Sequence, residues 1–256
     1  MSEGERLPGR DGDFAVDLER HLVAYRYARA RAAGRSVLDA GCGEGYGAAL
    51  LAQVAGRVVG ADRPEAATVA ALRHQGQRIE FRGLDLGDLD VLGEEFDLVV
   101  SFQVIEHLPD PEAFLRGLVE RVKPGGELIV TTPNRLMSVS ENPYHLREWT
   151  GPELLALAAP VLPGVRLFGV HGSPRVIAHE RARGEQVQRL LRLDPLGLRH
   201  LLPGFVIDRV FMPLARLVRR RLREGGGLTA LGPDDFWVSE TDVDRALDLM
   251  LHLGAP

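Results

Sequence analysis

The stretch Val37-Leu38-Asp39-Ala40-Gly41-Cys42-Gly43-Glu44-Gly45-Tyr46-Gly47 decides the reading of this chain. It runs out of a short apolar strand (SVLDA, 36–40) and into a helical pattern over 46–55. Glycines in such a turn let the backbone double back and let a ligand approach it closely. In open α/β sheets, ligands sit outside the carboxyl ends of the strands. A pyrophosphate-binding turn has the spacing Gly-x-Gly-x-x-Gly, which places a helix N-terminus on the phosphates. Here the spacing is Gly-x-Gly-x-Gly, with Asp39 two residues ahead of it. That acid would repel a pyrophosphate and suits a cationic ligand.

The sequence on either side repeats the alternation. Strands are expected at 57–62 (RVVGAD), 78–84, 96–102 (FDLVVSF) and 127–132 (ELIVTT), with helices at 64–74 and 111–122 and a tight turn at Pro124-Gly125-Gly126. Val-, Leu- and Ile-rich strands separated by helices imply βαβ units and a parallel sheet covered on both faces. After Thr132 the rhythm changes to a long loop at 133–150, then a helix at 151–159 and a strand at 165–171. Arginine-rich helices are expected from 177 to 223, a glycine linker at 225–227, a strand at 236–240 (FWVSE) and a helix at 243–253.

Composition narrows the function. The chain has 256 residues, 45% hydrophobic and 26% charged, and a net charge of −5. This is the profile of an ordinary globular protein and lacks the basic footprint of a nucleic-acid binder. The single cysteine, Cys42, allows no intramolecular disulfide and suits a reducing cytoplasm. No apolar stretch has the length of a membrane span, and the acidic N-terminus does not read as a secretory signal. Charge is unevenly spread. Residues 174–233 hold 12 Arg and 5 acids, a local +7 against −12 elsewhere.

Two further acids close neighbouring strands. Asp62 ends the second, where a carboxylate can accept both hydroxyls of a ribose. Asp85 follows the third, where it can accept from an adenine amino group. Each alone could be a helix cap; together with Asp39 they outline a pocket for a cationic adenosine ligand.

The run VLDAGCGEGYG, Asp62, LDL at 84–86, FDLVVSFQVIEHLPDP and KPGGELIVTTPN together resemble the class I S-adenosylmethionine (SAM)-dependent methyltransferases, broadly those of quinone biosynthesis. The resemblance covers about 37–134 specifically and 144–171 more loosely. It implies a Rossmann-like, doubly wound seven-stranded α/β sheet whose last strand is antiparallel, supplied by FWVSE. Around it would be an N-terminal helical lid (1–35), a SAM-binding core (36–173), an arginine-rich helical cap insert (174–233) and a closing segment (234–256). It also implies SAM as cofactor. Gly41, Gly43 and Gly45, with Cys42 among them, would line its methionine part. Asp62, with Arg63 beside it, would hold the ribose, and Asp85 with Leu86 the adenine. Ser101, Phe102 and Gln103 would lie beside the reacting centre.

Methyl transfer from a sulfonium needs in-line alignment in a dry site, and a hydroxyl acceptor must also lose a proton. The candidates for that role are His107 and His145, with Glu106 orienting a histidine or serving as a cap. His145 is expected on the acceptor side and His107 on the cofactor side. His21 and Tyr25 share one face of an N-terminal helix that would close over SAM. The strand-four exit reads SFQV, which disfavours adenine amino methylation, and no Pro-Cys nucleophile follows it. No pair of acids with an Asn appears there either, so no metal is expected. The expected partner is a small-molecule acceptor, with a sugar, quinone or lipid precursor all open. No nucleic-acid partner is expected. Residues 214–223 are either a solvated arginine face, a cap over the acceptor site, a contact for an anionic substrate, or a contact for an anionic membrane. Rival readings are an NAD- or nucleotide-sugar-dependent oxidoreductase and a SAM-binding protein without turnover.

Overall fold

The computed structural model describes residues 15–138, 144–191 and 231–254. The chain divides into two compact units: His21–Met137, His145–His171 and Trp237–Pro256 form one, and Met1–Arg20, Ser138–Tyr144 and Gly172–Phe236 the other.

The sheet begins as the sequence predicts. Strand β1 (Ser36–Ala40) leads through α2 (Tyr46–Ala52) to β2 (Arg57–Asp62), and α3 (Pro64–Arg73) leads to β3 (Ile79–Gly83). The chain then crosses back to β4 (Phe96–Phe102), α4 (Pro111–Val119) and β5 (Val122–Pro133). Helix α1 (Ala15–Arg29) precedes them. All four pairings among β1 to β5 are parallel, in the order β3-β2-β1-β4-β5. The order therefore reverses between β1 and β4, and such a switch point opens a crevice at the strands' carboxyl ends. Leu38, Val59, Val99 and Leu128 are fully buried, which explains the unbroken apolar runs of these strands.

Three local expectations are corrected. Pro124-Gly125-Gly126 does not end an element but bulges from within β5. Phe96 pairs with Val122 while Leu98 pairs with Glu127, and Gly125 supplies the positive φ of 78° that the bulge needs. The segment expected to be a final helix at 243–253 is a short 3-10 turn (Val243–Arg245) followed by strand β8 (Asp248–Leu253). Its apolar residues 243, 246, 247, 250 and 251 satisfy helical spacing. Residues 248–252 are also an unbroken buried run, and the slot between β5 and β6 (Arg166–Gly172) requires a strand buried on both faces. Consequently β8, not FWVSE, is the antiparallel strand flanked by β5 and β6. FWVSE forms β7 (Phe236–Ser239) at the sheet edge beside β6, which makes eight strands rather than seven.

Before β6, α5 (Gly151–Ala158) opens on Thr150, whose amide donates to Glu153 Oε2 at 2.8 Å. Asn134, just past β5, donates through Nδ2 to the carbonyl of Ala246 at 2.8 Å and so anchors the turn that enters β8.

In the second unit, α6 (Pro174–Leu191) starts beside Ser173, whose hydroxyl donates to Asp235 Oδ1 at 2.7 Å. Arg183 pairs with Asp17 at 2.7 Å and lies 3.5 Å from the buried Glu180. The arginine-rich stretch 192–230, including 214–223, lies outside the described residues, as do residues 1–14 of the expected lid. No described helix is long and apolar enough to cross a membrane.

Candidate active site

The loop after β1 is pinned to β2. The amides of Gly41 and Cys42 donate to the Ala61 carbonyl at 2.7 and 3.1 Å, and the Gly43 amide donates to Asp62 Oδ2 at 2.8 Å. The Arg63 amide takes the other oxygen of Asp62 at 2.7 Å. Asp62 is 2% exposed, and each of its oxygens keeps lone-pair capacity beyond these bonds.

The glycines of the loop serve different purposes. A Cβ on Gly41 would run into Val104, and one on Gly45 would meet His74 and Phe81 at 2.8 Å. A Cβ on Gly43 would meet nothing within 4 Å, although its φ of 54° is left-handed. Gly41 and Gly45 are small because protein packs against them; Gly43 alone of the three faces open space.

Asp39 is fully buried at the end of β1. Burial pushes its carboxyl up to about 7, against the lowering effect of the Tyr25 hydroxyl, which donates to both oxygens at 3.1 and 3.2 Å. The Tyr25 ring stands edge-on to Phe102 at 4.7 Å and to Tyr46 at 5.8 Å. One turn back on α1, His21 Nδ1 lies 3.0 Å from the Tyr46 hydroxyl. The face shared by His21 and Tyr25 thus engages the glycine loop and its acid directly. Cys42 is buried, and burial pushes its thiol well up, so it is no nucleophile.

Asp85 is exposed past β3 and folds onto its own turn, accepting from the Gly87 amide at 2.9 Å, while Leu86 beside it is buried. At the exit of β4, Ser101 and Phe102 are buried and the Ser101 hydroxyl has no hydrogen-bond partner. Gln103 adopts a φ of 57°, which costs a non-glycine residue about 1 kcal/mol or more. Its amide, donating to the Thr131 carbonyl at 3.0 Å, helps hold it there.

The following 3-10 turn (Ile105–His107) carries the other predicted group. Glu106 is 1% exposed; Oε2 accepts from the Thr132 hydroxyl at 3.1 Å, and Oε1 has no hydrogen-bond partner. Burial pushes its carboxyl up to about 8. The Leu146 amide donates to the Glu106 carbonyl at 2.8 Å, which seats the later loop on this turn. His107 and His145 then meet with ring centroids 4.9 Å apart. His145 Nδ1 lies 2.6 Å from Glu148 Oε1. The two histidines expected on opposite sides of the reaction therefore form one cluster with Glu106. Sequence reading missed Thr132 and Glu148, which hold that cluster. Thr132 is one of two threonines in a strand, and Glu148 is an acid in a loop; neither carries a spacing signal.

Residues 38–130 match a family model described as a methyltransferase domain. Over these residues the chain is similar to SAM-dependent methyltransferases. One relative is a probable SAM-dependent methyltransferase of Mycolicibacterium smegmatis, 46% identical over 54% of this chain and 55% of its own length. Another is a ubiquinone biosynthesis O-methyltransferase of Pseudomonas syringae pv. tomato, 39% identical over 42% of this chain and 48% of its own. The chain spans about half the length of the curated relatives it matches. Among solved structures, the [4+2]-cyclase SpnF shares the fold, with a TM-score of 0.52 and 18% identity over all of this chain and 86% of that one. The fold alone therefore does not fix the reaction. The residues present do fit SAM: a buried acid for a cationic group, a second acid with spare acceptor capacity, and open space over Gly43.

Proposed function

We propose that this chain transfers a methyl group from SAM to a hydroxyl oxygen of a small-molecule acceptor. The observation that carries this reading is the gathering of Glu106, His107 and His145 just beyond β4, next to the loop that follows β5. Bound SAM supplies a methyl group on a sulfonium, which the acceptor oxygen takes as the hydroxyl proton leaves. In this reading Asp39 faces the cationic end of the cofactor, Asp62 and Arg63 the ribose, and Asp85 and Leu86 the adenine. Gly43, Ser101, Phe102 and Gln103 border the methionine part and the reacting centre. The cluster receives the acceptor hydroxyl, with Glu148 holding the His145 ring. The ubiquinone O-methyltransferase relative supports an oxygen acceptor. The test is release of S-adenosylhomocysteine by the full chain with SAM and a panel of quinols, sugars and hydroxylated lipid precursors. Methylation of at least one hydroxyl is expected. SAM binding without turnover on any acceptor would favour a non-catalytic binder.

Two predictions arise here. Gly43→Ala places a methyl group in open space at a left-handed φ, so stability should fall by only about 1 kcal/mol. SAM affinity should fall at least tenfold, because that space is where the cofactor approaches. A fall in melting temperature with binding unchanged would return Gly43 to a turn-forming role.

The second concerns pH. The Asp39 carboxyl, held near 7, is protonated in the free protein at lower pH and must ionise to meet a cationic group. SAM affinity should therefore rise as pH increases from about 5.5 to about 7.5, by up to roughly tenfold per unit below the carboxyl's pKa. Calorimetry at the acid end, in buffers of different ionisation heat, should show proton release on binding. Affinity that does not change across this window would remove Asp39 from the cofactor site.

A further inference from the structure

We propose that Glu106, His107 and His145 bind one divalent first-row transition cation, of zinc-like ligand preference, at the acceptor end of the site. One ligand atom from each of the three residues lies within 4.8 Å of the others. Two imidazole nitrogens with one carboxylate oxygen suit zinc, manganese, iron or cobalt better than magnesium or calcium, which prefer oxygen. Metal–ligand bonds of about 2.0–2.2 Å would draw such atoms closer together.

The surroundings of the three residues support the assignment. Glu148 Oε1 lies 2.6 Å from His145 Nδ1, the kind of carboxylate support that orients a metal-binding imidazole. Thr132 holds Glu106 Oε2 at 3.1 Å and leaves the buried Oε1 without a hydrogen-bond partner. An unmet buried acceptor is costly, more so when charged, and a cation removes that cost. Asp248 and Glu148 add negative charge close to Glu106. The Leu146 amide on the Glu106 carbonyl ties the loop bearing His145 to the turn bearing the other two ligands. Glu106, His107 and His145 were each visible as candidates, but nothing local joins them as ligands, because the third is 38 positions from the second and belongs to a loop.

Three protein ligands leave a coordination position for an acceptor oxygen. A cation there makes a hydroxyl more acidic, its proton passing to solvent, so neither imidazole need act as a base. This use of the cation rests on the proposed methyl transfer; the binding itself does not.

The test is titration of the full chain, first stripped with a chelator, with Co2+, read by ligand-field absorption in the visible. One saturable site per chain is expected, with Zn2+ displacing the cobalt. The His107→Ala/His145→Ala variant should lose the bands. Glu148→Gln, which keeps all three ligands and alters only the group that holds the His145 ring, should weaken cobalt binding roughly 10–100-fold and covers the case in which the double variant fails to fold. Absence of bands in the parent chain, or bands unaltered in the folded variants, would overturn the site. If cobalt binds as expected while no acceptor is methylated, the site stands and the reaction proposed above fails instead.

Discussion

Replacement of His145 by Ala should lower turnover roughly 10²–10⁴-fold while SAM affinity stays close to that of the parent. The side chain is tied to Glu148 and packs against His107, so its loss dismantles the cluster proposed to receive the acceptor hydroxyl. Asp39, Gly43 and Asp62 belong to other elements, the ends of β1 and β2 and the loop after β1. His107→Ala should behave in the same way, because the two rings form one cluster. That expectation replaces the division into a cofactor-side and an acceptor-side histidine. Single-turnover rates with saturating SAM, alongside calorimetry for SAM, separate the two effects. A variant that binds SAM poorly but turns over normally at saturation would move His145 to the cofactor.

Asp62→Ala should weaken SAM binding at least tenfold and leave the protein folded. The carboxylate is proposed to accept the ribose hydroxyls while it already accepts the Gly43 and Arg63 amides. Hydrogen bonds to a charged group contribute about 1.5–3 kcal/mol each, so losing one accounts for a factor of ten or more. The same substitution frees the Gly43 amide and loosens the loop. Asp62→Asn, which keeps one oxygen acceptor, should fall between parent and Ala. An unchanged dissociation constant in Asp62→Ala, with melting temperature also unchanged, would remove the ribose assignment.

Most of the sheet could be read from the sequence because a buried parallel strand leaves a local trace. SVLDA, RVVGAD and FDLVVSF are short apolar runs between helical patterns, and each became a strand within a residue or two of its expected limits. The end of the chain misled because Val243, Ala246, Leu247, Met250 and Leu251 fit a helical face, and only the slot between β5 and β6 demands a strand. That demand is tertiary, and local spacing does not encode it. The loop acids Asp39 and Asp62 were legible because an acid at the end of an apolar strand is conspicuous. The distinction between Gly43 and its neighbours was not, because it depends on what Val104, His74 and Phe81 pack against. Likewise, His107 and His145 were each visible as candidates, but their contact is set by the Leu146 amide on the Glu106 carbonyl. Such a contact between distant segments has no periodicity to announce it.

SAM is proposed to sit at the carboxyl ends of β1 to β4. The most direct test is calorimetric titration of the full chain with SAM, S-adenosylhomocysteine and NAD in parallel. SAM and S-adenosylhomocysteine should each bind one site per chain and compete with one another, while NAD should give no saturable heat. Saturable binding of NAD at the site, or the absence of binding by both adenosyl ligands up to about 1 mM, a concentration matching only about 4 kcal/mol of affinity, would contradict it.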